Sequence, residues 1–404
     1  MNDTPATPSR RHFIQRSTGL LALPGVLAAS GMPPAPARRR PQPAPDPSGQ
    51  PLPELEQPLP DGPDQRIGFA VVGLGAYALN QIIPNLGATR HAKLTALVSG
   101  NPDKAKQVAR AYGVSDDHVY GYDTFDRIAD DDTVDVVYII LPNAMHREWT
   151  ERAFAAGKHV LCEKPMAVTS QDAEAMIAAG KQAGKKLMIG YRAQFDPYNL
   201  KAIDLVRGEG AAIGTPNLVF TEHGRMLEPE KMQRDKWRAR KELAGGGSLY
   251  DIGIYSVNGA RYLLGEEPTA VTATYRPPSG RSGVDVEEGV AWTMKFPSGA
   301  VANCSSSYQI EQAKRIMVQG TAGEVTLDPA TDYYVRNLYL RKGQENKQYV
   351  VPQANQFAGM LDEMALAVRE NREPKTPGEE GLRDVRILEA IYAAAESGKE
   401  TKIQ

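Results

Sequence analysis

Six apolar residues, Ile67-Gly68-Phe69-Ala70-Val71-Val72, run directly into Gly73-Leu74-Gly75-Ala76-Tyr77-Ala78, and a helical pattern continues between residues 80 and 86. A strand without polar alternation is buried on both faces, and a glycine turn that feeds it into a helix begins a βαβ unit. The rhythm continues. Strands are expected at 93–98, 134–141 and 159–162, with helices at 102–111 and 147–156, then a helix at 170–184 and a short strand at 186–190. Strands alternating with helices imply a parallel sheet wound on both faces. Residues 66–190 therefore read as a doubly wound Rossmann domain.

Beyond residue 190 the alternation lapses. Segments 217–220, 270–275, 289–296, 300–307 and 314–319 are strand-like, with turns at Pro297-Ser298-Gly299 and at 320–323, so a large, mostly antiparallel sheet is expected. Two amphipathic helices near 356–370 and 381–395 close the chain. The fold class is α/β: an N-terminal Rossmann domain followed by an α+β domain over 191–404. A length of 404 residues, with 41% hydrophobic and 24% charged positions, suits two packed domains.

The formal net charge of -2 gives no electrostatic footprint for nucleic acid, and no run of about 18 apolar residues reads as a membrane span. Small molecules are the expected partners. The two cysteines, Cys162 and Cys304, fit neither a disulfide framework nor a zinc cluster, so no metal and two buried thiols are expected.

At the N-terminus, Ser9-Arg10-Arg11-His12-Phe13-Ile14 precedes a small, mildly apolar run over 17–29. This looks like a twin-arginine signal peptide over 1–31, cleaved at Ala28-Ala29-Ser30 or Ala35-Pro36-Ala37, which sends the chain to the periplasm without stable membrane anchoring. A disordered basic terminus is the plainer alternative. Residues 32–63 hold 12 of the 30 prolines, and such a segment forms no core, so 32–65 is expected to be an extended arm.

The turn at 73–78 is G-x-G-x-x-A, whose small residues let backbone approach a pyrophosphate at a helix N-terminus. Gly73, Gly75 and Ala78 are thus candidate dinucleotide contacts. A carboxylate at the end of the second strand would hold the ribose 2′-hydroxyl of NAD. Here Val98 is followed by Ser99-Gly100-Asn101, with Lys104 one turn later, a set suited to a 2′-phosphate and hence to NADP(H). Asp103 beside Lys104 leaves open that this lysine is simply solvated.

Glu163-Lys164-Pro165 stands at the carboxyl end of a buried strand, where open α/β sheets place their ligands, although an ordinary loop salt bridge also fits. The glycine-rich stretch from Gly245 to Gly247 leads into a helix on which Asp251, Tyr255, Asn258 and Tyr262 recur at spacings that share one face. That face also suits plain solvent contact, but glycines at its entrance imply that something approaches closely. Oxidising a hydroxyl needs a base for its proton, and a phenol with a pKa of about 10 serves only when a neighbouring cation lowers it. The catalytic candidates are therefore Tyr255 as general acid/base, Lys164 as the cation that lowers its pKa, and Asp251 as an orienting acceptor.

These segments resemble the Gfo/Idh/MocA oxidoreductase family, in its glucose-fructose oxidoreductase branch. The matching stretches are 73–81, Leu97-Val98-Ser99-Gly100-Asn101, Tyr138-Ile139-Ile140-Leu141-Pro142-Asn143, Cys162-Glu163-Lys164-Pro165-Met166, Trp237-Arg238 and 245–255. Most of that family carries histidine where Tyr255 stands, and tyrosine marks the sugar-oxidoreducing branch. The resemblance implies cofactor contacts from Tyr77, Leu141, Asn143, His146, Glu163, Lys164, Arg192, Trp237 and Arg238 besides the residues above. It also implies that Tyr191 lines the cleft, that Tyr333 or Tyr334 reaches the sugar, and that the arm wraps a neighbouring subunit of a homo-oligomer, a dimer or tetramer.

The expected activity is a transhydrogenation on non-dissociating NADP(H): an aldose such as glucose is oxidised to its lactone and a second sugar such as fructose is reduced to a polyol. The alternative is an aldose (glucose or xylose) 1-dehydrogenase with dissociable NADP. A nucleotide-binding scaffold without chemistry would be expected to have lost Lys164 or Tyr255, and both are present.

Overall fold

The computed structural model of the chain describes residues 61–62, 65–231, 236–281, 283–352 and 355–403. The twin-arginine segment lies outside the described residues, as does the arm apart from residues 61, 62 and 65.

The first sheet is wholly parallel. Its strands are β1 (Ile67–Val72), β2 (Ala92–Val98), β3 (Val119–Tyr120), β4 (Val136–Ile139), β5 (His159–Cys162) and β6 (Leu187–Ile189), in the order β3-β2-β1-β4-β5-β6. The order reverses between β1 and β4, so the crevice for a ligand opens at their carboxyl ends. The helices between them are α1 (Ile83–Leu86), α2 (Pro102–Tyr112), α3 (His146–Ala155) and α4 (Ser170–Ala183). Local chemistry sets their ends. Asn101 caps α2 by accepting from the Lys104 N–H, Pro102 opens it, and Gly113 closes it at φ +73°. Thr169 and Gly184 (φ +62°) bracket α4 in the same way.

The second sheet has nine strands. These are β7 (Pro216–Arg225), β8 (Ala270–Arg276), β9 (Gly289–Lys295), β10 (Val301–Ser307), β11 (Gln312–Gly320), β12 (Gly323–Leu327), β13 (Leu338–Lys342), β14 (Glu345–Tyr349) and β15 (Thr401–Lys402). Their order is β14-β13-β12-β11-β7-β10-β9-β8-β15, antiparallel throughout except for the parallel pair β7–β10. The helices of this half are α5 (Pro197–Arg207), α6 (Lys241–Ala244), α7 (Ile254–Leu264), α8 (Gln356–Arg369) and α9 (Gly378–Ser397). The largely antiparallel sheet and the two closing helices agree with the sequence; α5, α6, β3 and β12 to β15 are additions to it.

The core does not divide at residue 190. Phe357, Met360, Leu361 and Met364 of α8 pack with Phe69, Val71, Ile82, Ile83 and Leu97, so a helix from the end of the chain covers one face of the first sheet. The other face shares a core with α7, α9 and the second sheet. Buried apolar surface of this kind contributes about 25 cal/mol per Å². The carboxyl edge of the first sheet is therefore flanked by elements that both cores hold in place.

Candidate active site

The nucleotide turn is built by two glycines with different tasks. Gly73 has φ +94°, and a Cβ there would lie 2.2 Å from the Ile140 carbonyl oxygen, so its smallness serves the chain's own packing. Gly75 is exposed, and a Cβ there would meet nothing within 4 Å. Helical backbone comes next, first as a π turn over Ala78–Ile82 and then as α1. At the end of β2 the Ser99 hydroxyl accepts from the Asn101 N–H at 3.1 Å. Lys104 Nζ donates to the Leu74 carbonyl at 2.9 Å, which places its ammonium at the rim of the glycine turn. Gly100 is hemmed by Tyr122, whose Cε2 would lie 3.1 Å from an added Cβ. Open space over Gly75, with an ammonium at the rim of the turn, fits a phosphorylated dinucleotide.

Across the cleft, α7 is preceded by Gly245 (φ +80°), Gly246, Gly247 and a π turn over Leu249–Gly253. What approaches these glycines is the protein itself: added Cβ atoms would fall 2.9 Å from Val168 Cβ, 2.2 Å from the Tyr392 hydroxyl and 1.9 Å from the Glu287 carbonyl oxygen. The buried Glu287 carboxylate accepts from the N–H groups of Gly247 (2.6 Å) and Leu249 (3.0 Å), at the positive end of the helix. No local pattern points to this residue's role, because it comes from a loop about 40 residues away.

Tyr255 lies one residue into α7. Its hydroxyl accepts a hydrogen bond from Arg192 Nη2 at 3.1 Å, Lys164 Nζ sits 4.4 Å from its ring centroid, and the His223 ring stacks on it at 5.7 Å. Burial alone would push the phenol's pKa up, but Arg192 and then Lys164 outweigh it and bring the group below its ordinary value. Lys164 is thus one of two cations acting on Tyr255, and Arg192, expected to touch cofactor, makes the direct hydrogen bond. His223 is buried between the Ser256 hydroxyl (2.8 Å) and the Thr331 hydroxyl (3.0 Å). Burial, then Lys314, Lys164 and Arg192, lowers its pKa to about 3, so it is a neutral ring at neutral pH.

Several expected roles change. The Asp251 carboxylate does not orient Tyr255; it bridges Arg225 (3.0 Å) and Arg238 (3.0 Å), while its backbone carbonyl accepts from Lys164 Nζ at 2.6 Å. The π turn adds a residue between Asp251 and α7, which breaks the regular i, i+4 phase on which the sequence argument relied. Burial opposes ionisation of Asp251, but Arg238, Arg225 and Lys164 hold its pKa far below the usual carboxylate range. Asn258 donates to Glu380 and Asp384, and Tyr262 to Asn199, so the expected polar face is a packing interface. Tyr191 is buried beside Asp384, away from the cleft.

His146, expected to touch cofactor, is fully buried with its ring nitrogens 2.9 Å and 3.0 Å from the carbonyls of Pro165 and Leu141, where it joins the two loops at the sheet's carboxyl edge. Asn143, expected likewise, donates to the Ala244 carbonyl at 2.8 Å and ties the first domain to the glycine stretch. Leu141 packs over Gly73. Glu163 accepts from the Tyr138 hydroxyl at 2.5 Å, and burial raises its pKa. Tyr77 packs on Tyr333 and Phe357, and Trp237 lies 4.3 Å from the Arg238 guanidinium. Of the two tyrosines expected near the sugar, Tyr333 lies against Arg192 (4.6 Å), whereas the exposed Tyr334 donates to Gln81 at 2.7 Å. Cys162 and Cys304 are buried free thiols, as expected.

A glycine-turn nucleotide crevice facing a cation-flanked phenol defines a dinucleotide-dependent oxidoreductase. The chain belongs to the Gfo/Idh/MocA oxidoreductase family: residues 67–191 match its NAD-binding Rossmann fold and residues 209–403 its C-terminal alpha/beta domain. It is 34% identical over 340 residues to the NADP-dependent D-xylose 1-dehydrogenase of Haloarcula marismortui, covering 83% of this chain and 92% of that one. The solved aldose-aldose oxidoreductase from Caulobacter crescentus, complexed with glycerol, is 47% identical with a TM-score of 0.80, covering 83% of this chain and 99% of that one. A 3-ketoreductase from Actinomadura kijaniata, solved with NADP and TDP-benzene, is 25% identical with a TM-score of 0.72, over 81% and 98% of the two chains.

Proposed function

We propose that this oxidoreductase acts on sugars with NADP(H) that stays bound through both halves of its cycle, oxidising an aldose such as glucose to its lactone and reducing a second sugar such as fructose to a polyol. The observation that carries the reading is the Tyr255 phenol, held by Arg192 with Lys164 beside its ring, at the cleft below the nucleotide turn. Ser99 and Lys104 would hold the 2′-phosphate, and backbone at Gly75 would meet the pyrophosphate. When bound, the nicotinamide supplies the hydride acceptor for the first sugar and the donor for the second.

The chain's own part is proton transfer. Tyr255, as its anion, takes the proton from the anomeric hydroxyl while that carbon loses hydride, and Arg192 and Lys164 stabilise the anion beforehand. In the second half the same phenol returns that proton to the carbonyl oxygen being reduced. Hydride and proton both leave on the polyol, so the cycle needs no nucleotide pool. This suits export by the twin-arginine pathway, which carries folded proteins, to a periplasm without such a pool. The proline-rich arm would wrap a neighbouring subunit of a homo-oligomer. Among the described residues no helix is long and apolar enough to cross a membrane.

The kinship with aldose-aldose oxidoreductase supports the two-sugar cycle, whereas the kinship with D-xylose 1-dehydrogenase favours a second reading, an aldose 1-dehydrogenase with dissociable NADP. The test is to denature purified protein, assay the supernatant for nucleotide, and supply native protein with both sugars and no added cofactor. Near-stoichiometric NADP(H) and conversion of both sugars are expected. An empty protein that turns over only with added NADP would establish the second reading.

A further inference from the structure

Arg192 is buried, and among the described residues none of the acceptors of its hydrogen bonds is a carboxylate: Nη1 donates to Gln356 Oε1 (2.7 Å) and the Asp332 carbonyl (3.5 Å), Nη2 to the Thr331 carbonyl (2.7 Å) and the Tyr255 hydroxyl (3.1 Å). A buried guanidinium is usually neutralised by a carboxylate. Here that role is left to the phenolate that Tyr255 becomes. Gln356 itself is only 1% exposed, and its Nε2 donates to the carbonyls of Asp332 (3.1 Å) and Tyr333 (3.0 Å). As the first residue of α8, it comes directly after the Asn355 cap, and α8 is anchored on the first sheet through Phe357 and Met360.

We propose that Gln356 is a positioning residue for proton transfer: its amide carbonyl aims Arg192 at the Tyr255 hydroxyl without cancelling the guanidinium's charge. The inference rests on the reading of Tyr255 as the proton-transfer group. Its neutral amide is what matters, because a carboxylate at the same place would pair with Arg192 and leave the phenolate less stabilised. The other charged or titratable groups around the pair are Lys164 and Glu163 after β5, Tyr77 at the nucleotide turn, His223 on β7, Asp251 and Arg238 before α7, Tyr262 on α7, Lys314 on β11, and Asp332 and Tyr333 after β12. Lys314 is paired with Asp332 at 2.6 Å, and His223 is held neutral.

The experiment measures single-turnover sugar oxidation on nucleotide-loaded protein from pH 6 to 10 for the parent, Gln356→Glu, Gln356→Asn and Tyr255→Phe, with a thermal melt of each. Gln356→Glu is expected to move the rising limb of the rate profile up by about one pH unit, a loss of about tenfold at pH 7 that recovers by pH 10. Gln356→Asn, which withdraws the acceptor without adding charge, should move the limb in the same direction by less. It carries the test alone if the glutamate variant fails to fold. Parental profiles in both folded Gln356 variants, with hydride transfer lost in Tyr255→Phe, would overturn the role of Gln356 and leave that of Tyr255 standing. Parental hydride transfer in Tyr255→Phe would overturn both.

Discussion

Replacing Gly75 with alanine separates what the nucleotide turn does for the fold from what it does for a ligand. Gly75 is not among the residues with positive φ, and an added Cβ meets no atom within 4 Å, so the empty protein should accept the methyl without strain. Loss of glycine's freedom in the unfolded chain should even stabilise it by about 0.4–1 kcal/mol. The same methyl stands where backbone must approach the pyrophosphate. Overpacking a close contact costs about 1–3 kcal/mol, which converts to a loss in nucleotide affinity of roughly 5- to 150-fold. Gly73→Ala is the contrast: its Cβ collides with the Ile140 carbonyl at φ +94°, so that variant should lose stability with or without nucleotide. The assay is a thermal melt of nucleotide-stripped protein together with a fluorescence titration with NADPH. NADPH affinity in Gly75→Ala within twofold of the parent would refute the placement of the pyrophosphate over this residue.

Tyr255→Phe should slow single-turnover hydride transfer by about 10²–10⁴-fold while leaving nucleotide bound and the melting temperature near the parent's; a loss within threefold would remove Tyr255 from the chemistry. Lys164→Met should cause a similar loss and also shift the rate profile to higher pH, since one of the two cations on the phenol is gone. Ser99→Asp should turn preference toward NAD, measured as the ratio of nucleotide affinities, and an unchanged ratio would count against the 2′-phosphate site. Stability should fall with acid through His223. Its folded pKa of about 3 lies below the ordinary 6.5, so its contribution is complete above pH 6.5 and erodes by about 1.4 kcal/mol per unit as pH falls from there toward 3. Urea titrations at pH 7 and pH 5 should show a smaller acid loss in His223→Gln; equal losses would refute this.

The first domain was legible because buried parallel strands are contiguous apolar runs and its turns carry glycine, proline and asparagine at the places where dihedral angles demand them. β1 and β5 fall at the expected residues. β14 was not, since Glu345-Asn346-Lys347-Gln348 is polar and exposed, and only its pairing with β13 makes it a strand. At the site, Lys164 and Tyr255 were found from local context, a strand end and a helix face. Arg192 was seen, but its target was not, because the bond to Tyr255 spans 63 residues and that to Gln356 spans 164. The side-chain partners of His146 and Asn143 were hidden for a related reason: a polar side chain near a sheet's carboxyl edge looks the same in sequence whether it meets a ligand or a distant carbonyl of its own chain.

Both walls of the cleft begin with a widened helical turn, Ala78–Ile82 beneath the nucleotide turn and Leu249–Gly253 beneath Tyr255. A π turn is an α-helix carrying one surplus residue. Each α-helical residue turns the chain by about 100°, so the surplus acts as a rotational offset between the residues on its two sides. In α7 that offset lets the Asp251 carbonyl face Lys164 while Tyr255, four positions on, faces Arg192. Excising one residue from Leu249–Gly253 would restore an ordinary helix yet put the two contacts out of angular step. The spacing of this segment is thus set by the bearing of one side chain relative to another, and relatives that keep the fold but shed the surplus residue would have to recruit their cations from other directions.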